Sequence, residues 1–310
     1  MKVLVVGAGC IGSVFGALLA EAGHEVSVVA RGARQVELQR NGLRVRRRRS
    51  REVRCHDLRV LDSIVDDTEA ELILVAVQQH QLEGLLPALA RHPAATVVLA
   101  LNYSRSQDPL VEALGDRLVW AFPAMLAEMD HGVVDHVVLP RALGFVQITT
   151  IGAGPRTPAA TVRGAGRLLA EAGIAHRGEA DMPAWLLSHA ALMAPIMAAG
   201  VASLRVSDEV RVDLTTARLV AAGQREGFAA IRASGHRVVP RNLAVLGCLP
   251  RSAVSVGVWS GLALPPGRRA LRGHADHGAG EVVQMMDDLI ELCARSGCPN
   301  PALRALRASL

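Results

Sequence analysis

Gly7, Gly9 and Gly12 stand at the spacing that lets a polypeptide backbone touch a pyrophosphate. Before them, Lys2-Val3-Leu4-Val5-Val6 reads as a buried strand; after them, an apolar-periodic helix runs through Leu18, Leu19 and Ala20. Gly7 permits a tight turn, Gly9 lets backbone approach phosphate, and Gly12 lets helix and strand pack closely. The turn Gly7, Ala8, Gly9, Cys10, Ile11 and Gly12 is therefore the expected cofactor-binding segment, with bare N–H groups and the positive helix end facing the anion. A second strand, Glu25 to Ala30, completes the unit that such a motif requires.

The end of that second strand distinguishes the two nicotinamide dinucleotides. An NAD site usually places Asp or Glu there to accept from the ribose 2′-hydroxyl. Here the chain reads Val28-Val29-Ala30-Arg31-Gly32, with Arg34 close behind. A planar guanidinium matches phosphate oxygens, so Arg31 points to the 2′-phosphate of NADP, the alternative being a solvated loop arginine.

These residues need a scaffold, and the pattern supplies one. Leu72 to Val77, Thr96 to Leu101 and Leu118 to Phe122 read as buried strands, with a helix from Gln79 to Arg91 between the first two. Val133 to Leu139 and Leu143 to Thr150 read as strands separated by Pro140-Arg141, and Ala159 to Ala172 as a helix. Continuous apolar strands alternating with helices predict a doubly wound sheet. After Gly178 the pattern is helical over Asp181 to Ser203, Asp208 to Ser234, Arg241 to Leu249 and Gly280 to Ser296, with Leu262 to Gly273 as a loop. The expected fold is α/β: a Rossmann-type doubly wound N-terminal domain (1–178) and a C-terminal all-α domain (179–310) for substrate and dimerisation. Ligands are expected in the cleft between them.

Composition narrows the function classes. The chain has 310 residues, half of them hydrophobic, enough for two ordinary domains. Its five cysteines show no zinc spacing, so no metal is expected and a reduced, cytoplasmic compartment is. The uncharged N-terminal stretch reads as strand-turn-helix, not as an export signal. Trp185 to Ser203 carries no formal charge, but His189, Pro195 and Gly200 interrupt it, so it reads as a buried helix with no membrane role and is consistent with a homodimer. Residues 44–54 hold seven arginines against Glu52, a local +6 that exceeds the chain's net +5 and leaves −1 elsewhere. With aromatics at 3% and a single tyrosine, that run reads as a solvated hairpin or loop, with no nucleic-acid partner. Lys2 is the only lysine in the chain.

Over nearly its full length the sequence resembles the ketopantoate reductase (2-dehydropantoate 2-reductase) family. The resemblance is carried by Gly7-Ala8-Gly9-Cys10-Ile11-Gly12, Ala22-Gly23-His24-Glu25-Val26, Arg31-Gly32, Asn41-Gly42-Leu43, Val75-Ala76-Val77 and Leu101-Asn102. It continues through Thr149-Thr150-Ile151-Gly152, Ala180-Asp181-Met182-Pro183-Ala184-Trp185, and Glu281 ahead of Ala294-Arg295-Ser296-Gly297. It implies an NADPH-dependent reductase of a small 2-oxo acid, in a family that serves pantothenate biosynthesis. It further implies that Gly7 to Gly12 hold the pyrophosphate and Arg31 the 2′-phosphate. Asn102 would lie beside nicotinamide and substrate, and Glu281 near the cofactor and reacting centre. The bottom-up reading agrees for Asn102, which follows a buried strand at the carboxyl edge where such sheets bind ligands.

The departures from the family pattern fall on its polar face. Its catalytic lysine is Leu187 here, two substrate-facing asparagines fall at Ala191 and Pro195, and a cofactor-side lysine falls at Gln78. Ketone reduction builds negative charge on oxygen and needs a donor in a dry site. Tyr103 reads either as a proton donor or as a loop cap, and Glu281 as a ribose contact, an acid or a salt-bridge partner. Arg105 reads as a carboxylate ligand or a solvated arginine. His189 sits roughly 200° round the helix from Leu187 and reads as a core histidine, and His274 and His277 as surface or cleft residues. Catalytic candidates are thus Glu281, Asn102 and Tyr103; cofactor candidates add Arg31 and Gln78 to the glycine turn. The leading expectation is an oxidoreductase with altered, less polar specificity. Its competitors are a catalytically degenerate NADP-binding sensor or partner protein, and an opine- or imine-type dehydrogenase.

Overall fold

The computed structural model describes residues 1–66, 69–139, 148–207, 209–247 and 249–310. The chain divides into two compact units: residues 1–102 with 106–182, and residues 103–105 with 183–310.

The first unit is built on β1 (Lys2–Val6), β2 (Glu25–Val29), β3 (Leu43–Arg47), β4 (Val53–His56), β5 (Arg59–Leu61), β6 (Leu72–Val75) and β7 (Thr96–Leu99). It continues with β8 (Leu118–Phe122), β9 (Met125–Asp130), β10 (Val133–Val138), β11 (Thr149–Ala153) and β12 (His176–Gly178). Its helices are α1 (Cys10–Glu21), α2 (Gly32–Asn41), α3 (Gln79–Arg91), α4 (Asp108–Leu114) and α5 (Ala159–Glu171). An eight-stranded sheet runs β12-β11-β8-β7-β6-β1-β2-β5. From β5 to β8 every pairing is parallel, while β11 joins β8 antiparallel. The chain steps outward from β1 to β2 and β5, then returns to the other side of β1 with β6. That reversal opens a crevice at the carboxyl ends of β1 and β6, where doubly wound sheets bind ligands.

A second sheet, β4-β3-β10-β9, lies on α1. Leu43, Val45 and Val134 from this sheet join Val14, Phe15 and Leu18 in one core with β1 and β2. Helix α1 is consequently apolar all round, as a helix enclosed between two sheets must be. The arginine run forms the β3–β4 hairpin, and its first members are ion-paired. Arg46 makes two 2.6 Å bonds to Asp135 on the neighbouring strand, holding that carboxyl below its usual range, and Arg44 pairs with Glu37 at 3.0 Å. Arg47, Arg48, Arg49, Arg51 and Arg54 are exposed.

The second unit is helical: α6 (Met182–Val206, all but its first residue), α7 (Leu214–Ala233), α8 (Arg241–Leu246), α9 (Arg251–Ala263), α10 (Pro265–Arg295) and α11 (Pro301–Ala308). Helix α7 packs on α9, α10 and α11 around the fully buried Phe228, Ile231, Val282, Met286 and Leu303. Helix α6 is long and apolar enough to cross a bilayer, yet 67% of that stretch is buried within the protein. Glu226 reaches from α7 to accept from the N–H groups of Ala302 and Leu303, at 3.0 and 2.9 Å, and so caps α11.

Several sequence expectations need correction or restriction, among them the helix expected from Asp208, which begins at Leu214. Leu262 to Gly273 is not a loop: α9 runs to Ala263 and α10 begins at Pro265. Pro265 and Pro266 look like helix breakers, but at the first positions of a helix the missing N–H has no intrahelical partner to lose. The strand expected from Leu143, and Pro140-Arg141 before it, fall mostly outside the described residues, where β11 is first seen at Thr149. The side chains of His274 and His277 also lie outside them.

Candidate active site

The glycine turn occupies the crevice beside β6. Gly7 adopts φ +101°, and a Cβ there would lie 2.5 Å from the Ala76 carbonyl oxygen just beyond β6. A Cβ on Gly12 would collide with the Gly7 carbonyl oxygen, so helix and strand can approach this closely only without one. Gly9 is the opposite case, with nothing within 4 Å of where its Cβ would be. The three glycines thus divide the labour of turn, open face and close packing.

Gly9 is the N-cap of α1 and brings no side-chain cap, and the first turn holds no acidic residue. The leading N–H groups of a helix have no intrahelical acceptors, so those of Cys10, Ile11 and Gly12 present partial positive charge beside that open face. The residues fit a pyrophosphate. Cys10 itself turns its half-buried thiol toward Met129 and Arg34, and burial pushes its pKa up, so it stays a neutral thiol. Gly9→Ala is expected to leave the thermal midpoint unchanged and to weaken dinucleotide binding by roughly tenfold or more, since the added methyl fills only the ligand's space. Calorimetry beside a binding titration checks both halves.

At the carboxyl end of β2, Arg31 is exposed and forms the N-cap of α2. Among the described residues it has no carboxylate partner, and α2 has no acidic residue in its first turn. Arg34 is placed differently. Its Nε donates to the Ala8 carbonyl at 3.0 Å, its Nη2 to Ser13 Oγ at 3.1 Å, and its Nη1 pairs with Glu37. Arg34 stands close behind Arg31 in sequence, yet the structure sets it against the glycine turn, with Ser13 and Glu37, which carry no sequence signal, as its partners.

Gln78 follows β6 at the same edge of the sheet and caps α3, its N–H donating to Gln81 Oε1 at 3.1 Å in a reciprocal capping box. Asn102 is half-buried just beyond β7. Arg31, Gly7 to Gly12, Gln78 and Asn102 therefore follow the four adjacent strands β2, β1, β6 and β7 within one unit.

The other candidates belong to the second unit. Tyr103 is buried. Ser104 Oγ donates to Asp288 Oδ2 at 2.6 Å, and Arg105 Nε to Asp288 Oδ1 at 3.2 Å. With its amide oxygen turned inward, Gln284 also accepts from Arg105. Arg105 is thus committed to a buried carboxylate. Glu281 is half-buried seven residues before Asp288, so it lies on the same stripe of α10, about 10 Å along the helix.

The apolar face of α6 is used in packing. Ala191 is fully buried, and a Cβ on Gly227 of α7 would lie 2.9 Å from that of Ala191. Pro195 sits 3.6 Å from the corresponding point on Gly223, and Leu187 packs against the helical core. His189 stacks on Trp185 with ring centroids 5.1 Å apart and planes at 7°. Among the described residues no three His, Cys, Asp or Glu side chains gather as metal ligands would.

The fold and the glycine turn define a Rossmann-type α/β domain, with its ligand edge at β1 and β6, followed in sequence by a helical unit. Residues 3–139 match the family model described as ketopantoate reductase PanE/ApbA, and this N-terminal domain belongs to that family. No curated protein is significantly similar to the chain in sequence. Among solved structures it is similar to a PanE/ApbA family ketopantoate reductase from Ralstonia eutropha JMP134, with TM-score 0.78 and 21% identity over 99% of this chain and 96% of that one. It is also similar to D-mandelate dehydrogenase in complex with NADH and anilino(oxo)acetate, with TM-score 0.75 and 15% identity over 100% and 97% of the two chains. A 2-dehydropantoate 2-reductase from Methylococcus capsulatus follows, with TM-score 0.71 and 19% identity over 99% and 95%.

Proposed function

We propose that this protein is a cytoplasmic NADPH-dependent reductase that converts a 2-oxo acid or related ketone into the 2-hydroxy compound. In this reading it works as a homodimer on a small-molecule substrate, without nucleic acid or membrane. The observation that carries the reading is the glycine turn, where the space above Gly9 is open while Gly7 and Gly12 admit no side chain. Exposed Arg31 at the start of α2, with no acidic residue at the end of β2, supports NADP over NAD. Arg31→Ala is expected to weaken NADPH binding about 10- to 100-fold and to leave NADH binding unchanged, the scale of one or two charge-assisted hydrogen bonds.

NADPH would supply a hydride to the carbonyl carbon, and the oxygen would take up a proton. In this chain Asn102 would hold the carbonyl oxygen, and the proton would come from Tyr103 or Glu281, since Lys2 is the sole lysine and lies in β1. Leu187, Ala191 and Pro195 favour a substrate less polar than ketopantoate. The similar D-mandelate dehydrogenase was solved with NADH and anilino(oxo)acetate, which supports a 2-oxo acid with an apolar group as the substrate class. NADPH consumption across 2-oxo acids with apolar side chains, simple ketones and imines tests the proposal. Turnover of the apolar 2-oxo acids is the expected result, and no turnover of any compound contradicts it.

A second reading, an NADP-binding protein without turnover, is favoured by the burial of Ala191 against Gly227, which consumes the helix face where polar substrate ligands would stand. Leu187→Lys separates the two. Ketopantoate reduction gained by that variant alone marks a decayed site.

A further inference from the structure

We propose that Arg34 is a strut for the glycine turn, not a reader of the ribose phosphate, so that it raises affinity for both dinucleotides equally and leaves their discrimination to Arg31. This rests on the dinucleotide-binding reading above. The Ala8 carbonyl receives two donors, Arg34 Nε at 3.0 Å and Ser13 Oγ at 3.2 Å, and Arg34 Nη2 in turn donates to Ser13 Oγ at 3.1 Å. That carbonyl shares a planar trans peptide with the N–H of Gly9, so the two point in opposite directions. Fixing the Ala8 oxygen toward Arg34 therefore aims the Gly9 N–H away from it and holds the open turn in one orientation. A turn aimed before binding loses less entropy when the ligand arrives.

The remaining nitrogen of the guanidinium is engaged as well. Arg34 Nη1 pairs with Glu37, and Glu37 is held on its other oxygen by Arg44 Nη2 at 3.0 Å. The Arg34 side chain is only 17% exposed, against an exposed Arg31. To reach a 2′-phosphate, Arg34 would have to abandon the Ala8 carbonyl and bring a dianion beside Glu37. Lysine could not substitute for it, because a point charge cannot serve three acceptors in one plane.

The test compares NADPH and NADH affinities, read by nicotinamide fluorescence, for the wild type, Arg34→Ala and Ser13→Ala, with thermal midpoints taken in parallel. Arg34→Ala should weaken both dinucleotides by about tenfold and keep their ratio within about twofold of wild type, the scale of one charge-assisted hydrogen bond. Ser13→Ala should do the same by about threefold. If Arg34→Ala fails to fold, the smaller Ser13→Ala change carries the comparison. A loss confined to NADPH overturns the strut and makes Arg34 a phosphate ligand. Unchanged affinities with a lowered midpoint also overturn it, leaving a purely structural contact. A wild-type protein that binds neither dinucleotide overturns the reading beneath the strut, and the strut with it.

Discussion

Gly12→Ala is expected to abolish dinucleotide binding and to destabilise the first unit by about 3 kcal/mol, a fall of roughly 6–12 °C in thermal midpoint. The added Cβ would overlap the Gly7 carbonyl oxygen, and neither atom can rotate aside, because the Cβ is fixed by its Cα and the oxygen belongs to the backbone. Relief requires α1 to move off β1, yet α1 is enclosed by two sheets and Val14, Phe15 and Leu19 are fully buried. The turn would therefore deform and lose its pyrophosphate geometry. Gly9→Ala is the matched control, with the same methyl added three residues away where it touches no protein atom. A binding titration with differential scanning calorimetry should show Gly12→Ala losing both properties and Gly9→Ala only affinity. Equal midpoints for the two variants would contradict the packing role.

The second large effect is expected at Asp288. Its carboxylate is 7% exposed and accepts from Ser104 and Arg105, and with Gln284 it holds that loop on α10. Asp288→Ala removes the carboxylate that a buried hydroxyl and an exposed guanidinium share. With the Arg105 share discounted for its 41% exposure, the cost is about 2–3 kcal/mol. The loop follows directly on Asn102, so loss of its anchor should also lower kcat on any turned-over ketone by about tenfold, the rate equivalent of 1.4 kcal/mol. Asp288→Asn keeps an oxygen for Ser104 and should lose less on both counts. Chemical denaturation and steady-state kinetics on the pair check this; a neutral Asp288→Ala would show that the loop is held elsewhere.

What was legible in the sequence was what depends on near neighbours. The turn chemistry of Gly7 to Gly12 and the apolar runs of β1, β6, β7 and β8 are local signals; all four strands and the helix Gln79–Arg91 are present, with β6 and β7 each ending two residues earlier than the pattern put them. The hairpin at the arginine run was also readable, but the partners of Arg44 and Arg46 were not, because Asp135 lies 89 residues from Arg46 and is brought beside it only by the parallel pairing of β3 with β10. Arg34 shows the same limit. In sequence it only stands close behind Arg31, and only the folded turn shows the Ala8 carbonyl within its reach. The loop expected over Leu262 to Gly273 failed for a different reason. Pro265-Pro266-Gly267 carries breaker chemistry at a helix start, where proline is tolerated, and the helix beyond is held by tertiary packing that sequence propensity does not report. Arg105 read as a solvated arginine or a substrate ligand because Asp288, its partner, is 183 residues away.

Titration of the wild-type protein with NADPH and with NADH, followed by nicotinamide fluorescence, tests the central claim most directly. Saturable binding of both, with NADPH tighter by about tenfold or more, is the predicted result, since Arg31 adds one charge-assisted contact that only the 2′-phosphate can use. No binding of either dinucleotide, or tighter binding of NADH, would contradict the account.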